Sequence, residues 1–499
     1  MLDPVPTWLM KDHLESLLPS ITNIINLSFT TGTFPDSMKS AIVTPLLKKT
    51  GLDPNNLKNF RPISNLSFVS KLLEKVVASR LVQHMNTHGL GEPMQSAYRS
   101  HHSTETALLR VHNDILRAVD KKRAVILVLL DLSAAFDTID HDTLLCRLRH
   151  RLGITGTALK WFESYLKGRM QSVCVMGETS PPVEVKYGVP QGSVLGPSLF
   201  SIYTLPIGDI ARRHRLEIHL YADDTQIYIS FKVPSNLDEL TARKRIEACI
   251  AEIRLWMRLN KLKLNDDKTE ILFITTPRMH STISSTSLEI GNTTVSSSKS
   301  ARNLGIIFSQ FMDMEEHVNN ICRTCYQYIR AISHIRRYLT TEATERLVHA
   351  LITSRLDNGN SLLFGLPSCL TAKLQKVQNT AARIITRSRK YESITPVLRQ
   401  LHWLPVMKRI NFKILTLTFH ALRGTGPKYI RELLCHPKHP RSLRSSTQDI
   451  LDIPRTRLST YGDRAFSVCA PRLWNSLPLQ LRTESSLTTF KSQLKKHLF

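Results

Sequence analysis

Two adjacent carboxylates, Asp223 and Asp224, stand between two short runs of strand-forming residues. Apolar residues alternate with polar ones on both sides, which predicts two strands that meet at a turn made by Asp223 and Asp224. Adjacent carboxylates repel each other and resist burial unless a cation lies between them. The pair therefore suggests a divalent metal site, and the alternative is an ordinary solvated Asp-Asp turn.

A third carboxylate, Asp131, follows the apolar run at residues 124–130. That run predicts a buried strand, and a carboxylate at its end is costly without a partner or a metal. The alternative is that Asp131 caps a helix beginning near Ser133. If the two strands are neighbours in one sheet, all three carboxylates reach one edge. That is the ligand set for two Mg²⁺ ions about 3.5–4 Å apart, which serve in-line attack on phosphorus.

Other residues suited to phosphate or nucleotide contacts lie upstream and between these carboxylates. A loop rich in glycine and proline spans residues 187–197. Its glycines let the backbone approach a flat ligand closely, and Gln191 can both donate and accept hydrogen bonds. Lys48, Arg61 and Arg99 follow or flank extended segments and could clamp a triphosphate, although spacing alone does not bring them together.

The elements that must position these residues form a mixed pattern of helices and strands, followed by a helical, basic region. Before residue 315, the pattern predicts helices at 8–29 and 235–260, a hairpin at 288–295 and a single strand at 303–308. Beyond it, helices are predicted at residues 317–338, 342–355, 374–387 and 410–422.

Composition and charge narrow the class of protein. The chain has 499 residues, 42% of them hydrophobic, and a formal net charge of +26. This length and hydrophobicity exclude wholesale disorder and predict several domains. About thirty Lys and Arg but only about nine Asp and Glu lie in residues 321–499, which is roughly four-fifths of the excess. So uneven a charge favours a polyanionic partner, most simply nucleic acid, over an ordinary basic surface.

Targeting signals and cysteines add two expectations. No apolar run is long enough to span a bilayer, and the first residues lack the apolar core of a secretory signal peptide. We therefore expect an intracellular protein of the nucleus, the cytoplasm or both. Eight scattered cysteines suit reduced thiols better than a disulfide framework. Cys322 and Cys325, flanked by His317 and His334, favour an amphipathic helix, with a zinc site as the alternative.

Seven motifs occur in a specific order along the chain. They are NFRPIS (59–64), QSAYR (95–99), LLDLSAAFDTIDH (129–141), GVPQGSVLGPSLF (188–200), YADD (221–224), LNDDKTE (264–270) and NLGIIF (303–308). Their wording and order resemble the reverse transcriptase of non-LTR (LINE-type) retrotransposons, in the jockey-like branch. LHWLP (401–405) and LWNSLP (473–478) resemble the C-terminal region of the same family. The resemblance covers nearly the whole chain.

The resemblance implies an α+β fold arranged as a right-hand polymerase. The hand comprises fingers, a palm with an antiparallel sheet and backing helices, a helical thumb and a small C-terminal module. The implied boundaries are 1–122 for an N-terminal extension and fingers, 123–312 for the palm, 313–432 for the basic thumb and 433–499 for the C-terminal module.

The resemblance also implies an RNA-directed DNA polymerase that adds dNTPs to the 3′-hydroxyl of a DNA primer on an RNA template. Two Mg²⁺ ions, or Mn²⁺ as a substitute, would be held by Asp131, Asp223, Asp224 and the Leu132 carbonyl, with Lys268 as general acid. The residues implied at the nucleotide are Lys48, Arg61, Arg99, Phe136, Gln191 and Gly192, and those implied at the primer grip are Leu304 and Gly305. Phe136 would crowd a ribose 2′-hydroxyl and so favour dNTPs.

Two departures from the family pattern leave a second function open. The N-terminal endonuclease usual in the family is not apparent, which predicts a truncated element or the polymerase part of a longer chain. Residues 355–360 read RLDNGN where the family often has RLDYCN. The alternative is therefore a catalytically silent nucleic-acid-binding remnant of a decayed mobile element. The oligomeric state is not predicted.

Overall fold

The computed structural model describes residues 5–49, 51–133, 136–265, 268–291, 293–436 and 449–499. Four residues of the predicted motifs, Ala134, Ala135, Asp266 and Asp267, lie outside these ranges. The helices are α1 (Thr7–Asp12), α2 (Leu14–Thr31), α3 (Phe68–His88), α4 (Thr104–Asp120), α5 (His141–His150), α6 (Gly156–Leu166), α7 (Gly196–Tyr203), α8 (Pro206–Arg213), α9 (Asn236–Leu259), α10 (Pro277–His280), α11 (Glu315–Ile335), α12 (Thr341–Val348), α13 (Ser354–Asp357), α14 (Ser368–Thr386), α15 (Ile394–Gln400), α16 (Val406–Leu422), α17 (Lys428–Arg431), α18 (Phe466–Asn475), α19 (Leu479–Arg482) and α20 (Leu487–Leu498).

The strands are short and distributed through the first two-thirds of the chain. They are β1 (Ser40–Leu47), β2 (Phe60–Asn65), β3 (Arg123–Leu130), β4 (Leu132–Ser133), β5 (Arg169–Val175), β6 (Glu178–Thr179), β7 (Val183–Val185), β8 (Glu217–Tyr221), β9 (Asp224–Lys232), β10 (Lys263–Leu264), β11 (Glu270–Ile274), β12 (Ser287–Ile290), β13 (Thr293–Ser296), β14 (Ser300–Asn303) and β15 (Ile306–Ser309).

The described residues fall into two compact units. Unit 1 draws on Met1–Tyr98, Leu130–Arg215 and Cys249–Lys268, and unit 2 on Arg99–Leu129, Leu216–Ala248 and Thr269–Phe499. The four-domain division implied by the resemblance follows the chain, whereas each unit combines three separate segments. That division therefore stays a prediction.

Unit 1 is built on a five-stranded sheet with helices. Its strand order is β2-β1-β5-β6, and β7 also pairs with β5. Strands β1 and β5 run parallel and the other pairs are antiparallel. Helix α3 turns Leu73, Val77 and Leu81 into the core, because apolar residues three to four positions apart share one helix face.

Unit 2 contains a four-stranded sheet in the order β11-β3-β9-β8. The predicted buried strand is confirmed as β3, whose residues 124–128 are all buried. A continuous apolar run suits an inner strand because both of its faces are covered. The amphipathic helix α4 contacts β8 and buries its apolar side chains, among them Val111 and Ile115.

Two further hairpins, β12–β13 and β14–β15, belong to unit 2. The first confirms the hairpin predicted at residues 288–295. The single strand predicted at residues 303–308 is wrong, because Asn303 ends one strand and pairs with Ile306, which begins the next. The turn residues Leu304 and Gly305 have φ of +45° and +89°, which no continuous strand allows.

Two predicted helices are interrupted. The helix predicted at residues 8–29 is α1 followed by α2, with a break at His13. The helix predicted at 342–355 is α12, a π-helical turn at His349–Thr353 and α13. None of the helices in the described ranges combines the length and apolarity that crossing a bilayer requires.

The last fifty described residues pack on α4 within unit 2. The buried carboxylate of Asp120 accepts the N–H groups of Arg457 and Leu458, each at 2.8 Å. Asn113 accepts the Ser467 N–H at 2.9 Å. Helix α4 also contacts β8, so this one helix packs against both the C-terminal residues and the four-stranded sheet.

Candidate active site

The turn that bears the adjacent carboxylates joins β8 to β9. Tyr221 pairs with Asp224, so the two turn residues are Ala222 and Asp223. The predicted turn was one residue off because Asp224 stays in the strand register as the first residue of β9. Ala222 has a φ of +56°, which residues with a Cβ rarely adopt. Such strain costs on the order of 1–3 kcal/mol and is concentrated at functional sites.

The end of β3 lies at the same end of the sheet as this turn. The guanidinium of Arg123, at the start of β3, donates to the hydroxyl of Ser230 at 2.9 Å and to its carbonyl at 2.7 Å. Ser230 lies near the end of β9, so the neighbouring strands β3 and β9 run in opposite directions. The last residues of β3 therefore lie beside the first of β9, about 4.8 Å away across the ladder. Asp131 is the next residue after β3.

The Asp131 carboxylate is held by the segment that follows β10. Lys268 Nζ lies 3.0 Å from Asp131 Oδ2, and Asn265 Nδ2 donates to the same oxygen at 3.2 Å. The Asn265 N–H donates to the Asp131 carbonyl at 2.9 Å. Leu132, whose carbonyl was predicted as a metal ligand, pairs with Leu264 of β10. The structure thus brings Asp131 and Lys268, two predicted site residues, into direct contact.

The predicted metal ligands suit Mg²⁺ in donor type, because carboxylate and carbonyl oxygens are the donors that this ion prefers. Within the described ranges, no three His, Cys, Asp or Glu side chains are gathered in an arrangement that could hold a metal ion. Asp131 has the Lys268 ammonium as its counter-charge. The chemistry of the donors therefore fits Mg²⁺, and the assembly of a metal site from them stays a prediction.

The zinc alternative fits less well. Cys322 and Cys325 lie on helix α11, as the amphipathic pattern predicted, and Cys325 is buried. Burial raises the pKa of the Cys325 thiol to about 12. Among the described residues, these cysteines belong to no group of three His, Cys, Asp or Glu side chains that could hold a metal ion.

The loop before α7 requires glycine at two positions. Gly188 has a φ of +83°, and a Cβ there would lie 2.8 Å from the Asp137 carbonyl oxygen. Gly192 has a φ of +136°, and a Cβ there would lie 2.4 Å from the Ser64 carbonyl oxygen. The loop therefore packs backbone against backbone on both sides, as the glycine-rich sequence predicted.

Gln191, the predicted nucleotide-contacting residue of this loop, is bound by Asp137. Its Nε2 donates to both carboxylate oxygens, at 2.9 and 3.0 Å. Partial burial raises the pKa of the Asp137 carboxyl above its ordinary value, and the hydrogen bond from Gln191 opposes that rise. Both residues line a cavity of about 230 Å³ in unit 1, beside β1, β2 and β5.

Phe136 is stacked on Phe200 of α7, with ring centroids 4.8 Å apart and planes inclined by 29°. Its carbonyl accepts the Val189 N–H at 3.0 Å. The ring is thereby fixed next to the glycine-containing loop. Its predicted role against a ribose 2′-hydroxyl stays a prediction.

The three basic residues predicted to bind a triphosphate are divided between the two compact units. Lys48 and Arg61 share one face of the β1–β2 hairpin, since Leu46 pairs with Arg61 and side chains alternate along a strand. Lys48 Nζ donates to the Lys58 carbonyl at 2.7 Å. Arg99 belongs to the other compact unit and lies in a turn after Tyr98, whose φ is +59°.

The predicted primer-grip residues, Leu304 and Gly305, form the two-residue turn between β14 and β15. Asn303, just before this turn, donates from Nδ2 to Gln226 Oε1 at 2.8 Å, and both side chains are buried. Gln226 follows Asp224 by two positions on β9. This hydrogen bond joins the β14–β15 hairpin to the strand that begins with the second carboxylate.

Three of these contacts were not predicted. They are Asn265 with Asp131, Asp137 with Gln191 and Asn303 with Gln226, which join residues 134, 54 and 77 positions apart. Nothing in local spacing identifies such partners. The available signal was that each polar residue lies inside or next to a quoted motif.

The family model for reverse transcriptase (RNA-dependent DNA polymerase) matches residues 47–308, more than half of the chain. The chain belongs to the reverse transcriptase family. The predicted family is confirmed, and the mixture of helices and sheets confirms the predicted α+β class.

Three similar proteins are polymerases or probable polymerases from mobile elements. It is 28% identical to the probable RNA-directed DNA polymerase from transposon BS of Drosophila melanogaster, over 76% of this chain and 42% of the relative. It is 27% identical to the corresponding X-element protein of the same species, over 78% of this chain and 42% of the relative. It is 27% identical to the RNA-directed DNA polymerase from the mobile element jockey of the same species, over 64% of this chain and 34% of the relative. The chain thus spans about two-fifths of the length of these relatives.

A solved structure of apo telomerase from Candida tropicalis is also similar to this reverse transcriptase. The TM-score is 0.38 at 12% identity, over 79% of this chain and 67% of the telomerase. This overlap is too loose to support a conclusion about individual residues.

Proposed function

We propose that this reverse transcriptase copies RNA into DNA by adding dNTPs to the 3′-hydroxyl of a DNA primer. One observation carries the proposal: strand β3, which leads into Asp131, and the turn that bears Asp223 reach the same end of one sheet. Asp131, Asp223 and Asp224 would together supply the three carboxylates that two-metal nucleotidyl transfer requires.

The proposed metal ligands are Asp131, Asp223, Asp224 and the Leu132 carbonyl, holding two Mg²⁺ ions, with Mn²⁺ as a substitute. When bound, the metals would activate the primer hydroxyl and neutralise charge on the phosphates. Lys268 pairs with Asp131 and is the proposed general acid. Its side chain is 67% exposed, so it can leave Asp131 and donate a proton to the departing pyrophosphate.

The proposed nucleotide contacts come from the loop and the β1–β2 hairpin. Gln191 and Gly192 would form the floor under the incoming dNTP, and the ring of Phe136 would exclude a 2′-hydroxyl. Lys48 and Arg61, on one hairpin face, would bind phosphate oxygens. Arg99 is proposed for the same role on its motif position alone.

The proposed RNA template and DNA primer explain the uneven charge. The excess of Lys and Arg in residues 321–499 suits the phosphate backbone of a duplex. Leu304 and Gly305 are proposed to contact the primer, and their hairpin is joined to β9 through Asn303. This duplex binding would account for the partner class predicted from composition.

The domain plan and location belong to the same proposal. Residues 1–122 would form an N-terminal extension and fingers, 123–312 the palm, 313–432 the thumb and 433–499 a C-terminal module. The enzyme would act in the nucleus, the cytoplasm or both.

The departure at residues 355–360 is compatible with an active enzyme. Asp357 accepts a hydrogen bond from Arg409 Nε at 2.9 Å, which joins α13 to α16. Asn360 is buried. The altered stretch is therefore packed into unit 2, and it does not by itself favour a silent remnant.

Primer extension on poly(rA) with oligo(dT), dTTP and Mg²⁺ tests the proposal. Wild-type protein should extend the primer, and the Asp223→Ala/Asp224→Ala double variant should not. A matched control, Glu342→Ala/Glu345→Ala, removes the same charge from the exposed face of α12 and should retain activity. Absence of Mg²⁺-dependent product, or equal product from the Asp223/Asp224 variant, would instead support a silent nucleic-acid-binding remnant.

A further inference from the structure

Two tyrosines of the basic region are the most exposed Phe, Trp or Tyr side chains among the described residues. Tyr338 is 75% exposed and Tyr391 is 77% exposed. Tyr338 ends a 3-10 turn (Arg336–Tyr338) that follows α11, and Tyr391 lies in the loop between α14 and α15. Both belong to unit 2. A single exposed ring needs no explanation, so the arrangement of the two rings decides whether they form a surface.

The two tyrosine-bearing segments are held at the same end of α14. The Arg336 guanidinium donates from Nε to the Ile384 carbonyl at 2.8 Å. The Arg383 guanidinium donates from Nη2 to the Glu392 carbonyl at 3.1 Å. Residues 383 and 384 are consecutive in the last turn of α14. Two segments that are remote in sequence therefore meet at one end of one helix.

Each of the two rings is accompanied by an arginine. The guanidinium carbon of Arg337 lies 4.8 Å from the Tyr338 ring centroid, and that of Arg389 lies 5.9 Å from the Tyr391 centroid. Arg389 Nη1 also donates to the Tyr391 hydroxyl at 2.6 Å. A cation within about 6 Å of a ring centroid is attracted to the ring face. The arginines thus limit how the rings turn, and the high exposure leaves ring surface for another planar group.

The surroundings of the two rings are strongly basic. Burial, together with the nearby charge of Arg387, lowers the pKa of the Arg336 guanidinium. Like charges therefore lie close together here, which is unfavourable unless an anion joins them. In the part of the chain that the structure describes, five cations of these segments form no ion pair with a carboxylate: Arg337, Arg383, Arg387, Arg389 and Lys390. We call these five cations, with Tyr338 and Tyr391, the tyrosine patch.

Exposed rings beside unpaired cations are typical of surfaces that bind single-stranded nucleic acid. The bases of an unpaired strand stack on aromatic rings or on arginine planes, and its phosphates lie against the cations. The bases of a duplex are already stacked on one another, so duplex binding gives the two rings no role. We propose that the tyrosine patch is a stacking platform for an unpaired nucleic-acid strand, either RNA or DNA. The proposal goes beyond the polymerase reaction and the duplex that it extends.

Fluorescence anisotropy with labelled oligonucleotides tests the platform on the whole chain. The ligands are oligo(rU), oligo(dT) and an oligo(rA)–oligo(dT) duplex of the same length. Tyr338→Ala/Tyr391→Ala should raise Kd for the unpaired strand by about thirtyfold, the lower end for the loss of two stacked bases, and should leave Kd for the duplex unchanged. A rise with either single strand supports the proposal and identifies the strand. No rise with either strand, or an equal rise with the duplex, overturns it.

Two further variants separate stacking from charge. Tyr338→Phe/Tyr391→Phe keeps both rings and should bind like the wild type. Arg337→Gln/Arg389→Gln removes two charges, so the slope of log K against log salt concentration should become shallower by about 1.4. The alanine variant should keep the wild-type slope, because it removes rings and not charges. An alanine variant with the same shallow slope as the arginine variant would contradict a stacking role.

Folding and turnover are controlled separately. Because both tyrosines are exposed, thermal unfolding of the alanine variant should match that of the wild type. If it does not, Tyr338→Leu/Tyr391→Leu decides: weakened single-strand binding supports the proposal, and wild-type binding overturns it. The matched control Trp8→Ala removes a 64% exposed ring from α1 and should leave Kd unchanged. Absence of primer extension by wild-type protein would overturn the proposed function and leave the binding result in place.

Discussion

Two turns of unit 2 have the same length but differ at their second residue. The β8–β9 turn is Ala222–Asp223 and the β14–β15 turn is Leu304–Gly305. The first residue of each has a positive φ, +56° for Ala222 and +45° for Leu304. The second residue is glycine in one turn and a carboxylate in the other. Both residues of the β14–β15 turn have positive φ, and glycine supplies the second at no steric cost, whereas in the β8–β9 turn only Ala222 has positive φ. Position 223 can therefore hold a carboxylate without backbone strain.

The two turns are also connected. Asn303 precedes the β14–β15 turn and donates to Gln226, two residues beyond Asp224. The β14–β15 hairpin thus supports the strand that begins with a carboxylate. The comparison teaches that each turn has one residue other than glycine at positive φ, and that they differ in whether the second position also needs positive φ.

The largest effect is expected at Asp223, the second residue of the β8–β9 turn, where the two turns differ. Asp223→Asn should reduce primer extension on the order of 10³-fold, because a carboxylate proposed to bind metal loses its charge. The melting temperature should change little, since this side chain lies in a turn. Glu342→Gln, which neutralises an exposed carboxylate on α12, should retain most activity. Equal losses in both variants would refute the distinction.

The next effect concerns the connection between the hairpins. Asn303→Ala should destabilise the protein by about 2 kcal/mol, because the buried Gln226 Oε1 loses its donor. Denaturant unfolding measures this loss. Asn303→Ala/Gln226→Ala should cost less than the sum of the two single variants, since neither partner is then left alone. Additive losses would show that the two side chains are not coupled.

A third prediction concerns the stability of the protein at acid pH, which depends on a buried histidine next to β15. His112 is buried beside Phe308, and neither ring nitrogen has a hydrogen-bond partner among the described residues. Burial, together with the charge of Arg464, lowers the pKa of His112 to about 3. Between pH 6.5 and 3 the unfolded chain therefore binds a proton that the folded chain does not. The free energy of unfolding consequently decreases as the pH is lowered through this range. The penalty at pH 5 is about 2 kcal/mol.

The variant His112→Leu should remove that penalty. Compared with wild type, it should gain stability at pH 5 relative to pH 8 by about 2 kcal/mol in denaturant unfolding. His334→Leu, which changes an exposed histidine on α11, serves as the control and should leave the pH dependence unaltered. An unchanged pH dependence in His112→Leu would contradict the assignment.

The smallest effects are expected when glycine and alanine are exchanged at single positions of the two turns. A Cβ at Gly305 would meet nothing within 4 Å, so Gly305→Ala tests backbone strain alone and should cost about 1 kcal/mol. Ala222→Gly should change stability by less, because relief of strain is offset by the entropy of glycine. Equal and large losses would mean that the two turns do not differ in strain.

The sequence predicted the parts of the site that depend on local pattern. The strand leading to Asp131 was found because its apolar run is continuous, and the loop at 187–197 because glycine and proline mark special backbone conformations. The β14–β15 turn was missed because Ile306–Phe308 continue an apolar pattern across it. The partners of Asp131, Gln191 and Gln226 could not be predicted, since tertiary packing alone brings such distant residues together.

Counting bound metal ions tests the central claim without turnover. Mn²⁺ binding can be measured by electron paramagnetic resonance on protein with a primer–template and a non-hydrolysable dTTP analogue. Two tightly bound ions are expected for wild type, and fewer for both Asp131→Asn and Asp223→Asn/Asp224→Asn, although these residues lie far apart in sequence. If Asp131→Asn retains the wild-type number while the Asp223/Asp224 variant loses ions, the three carboxylates do not share one metal centre.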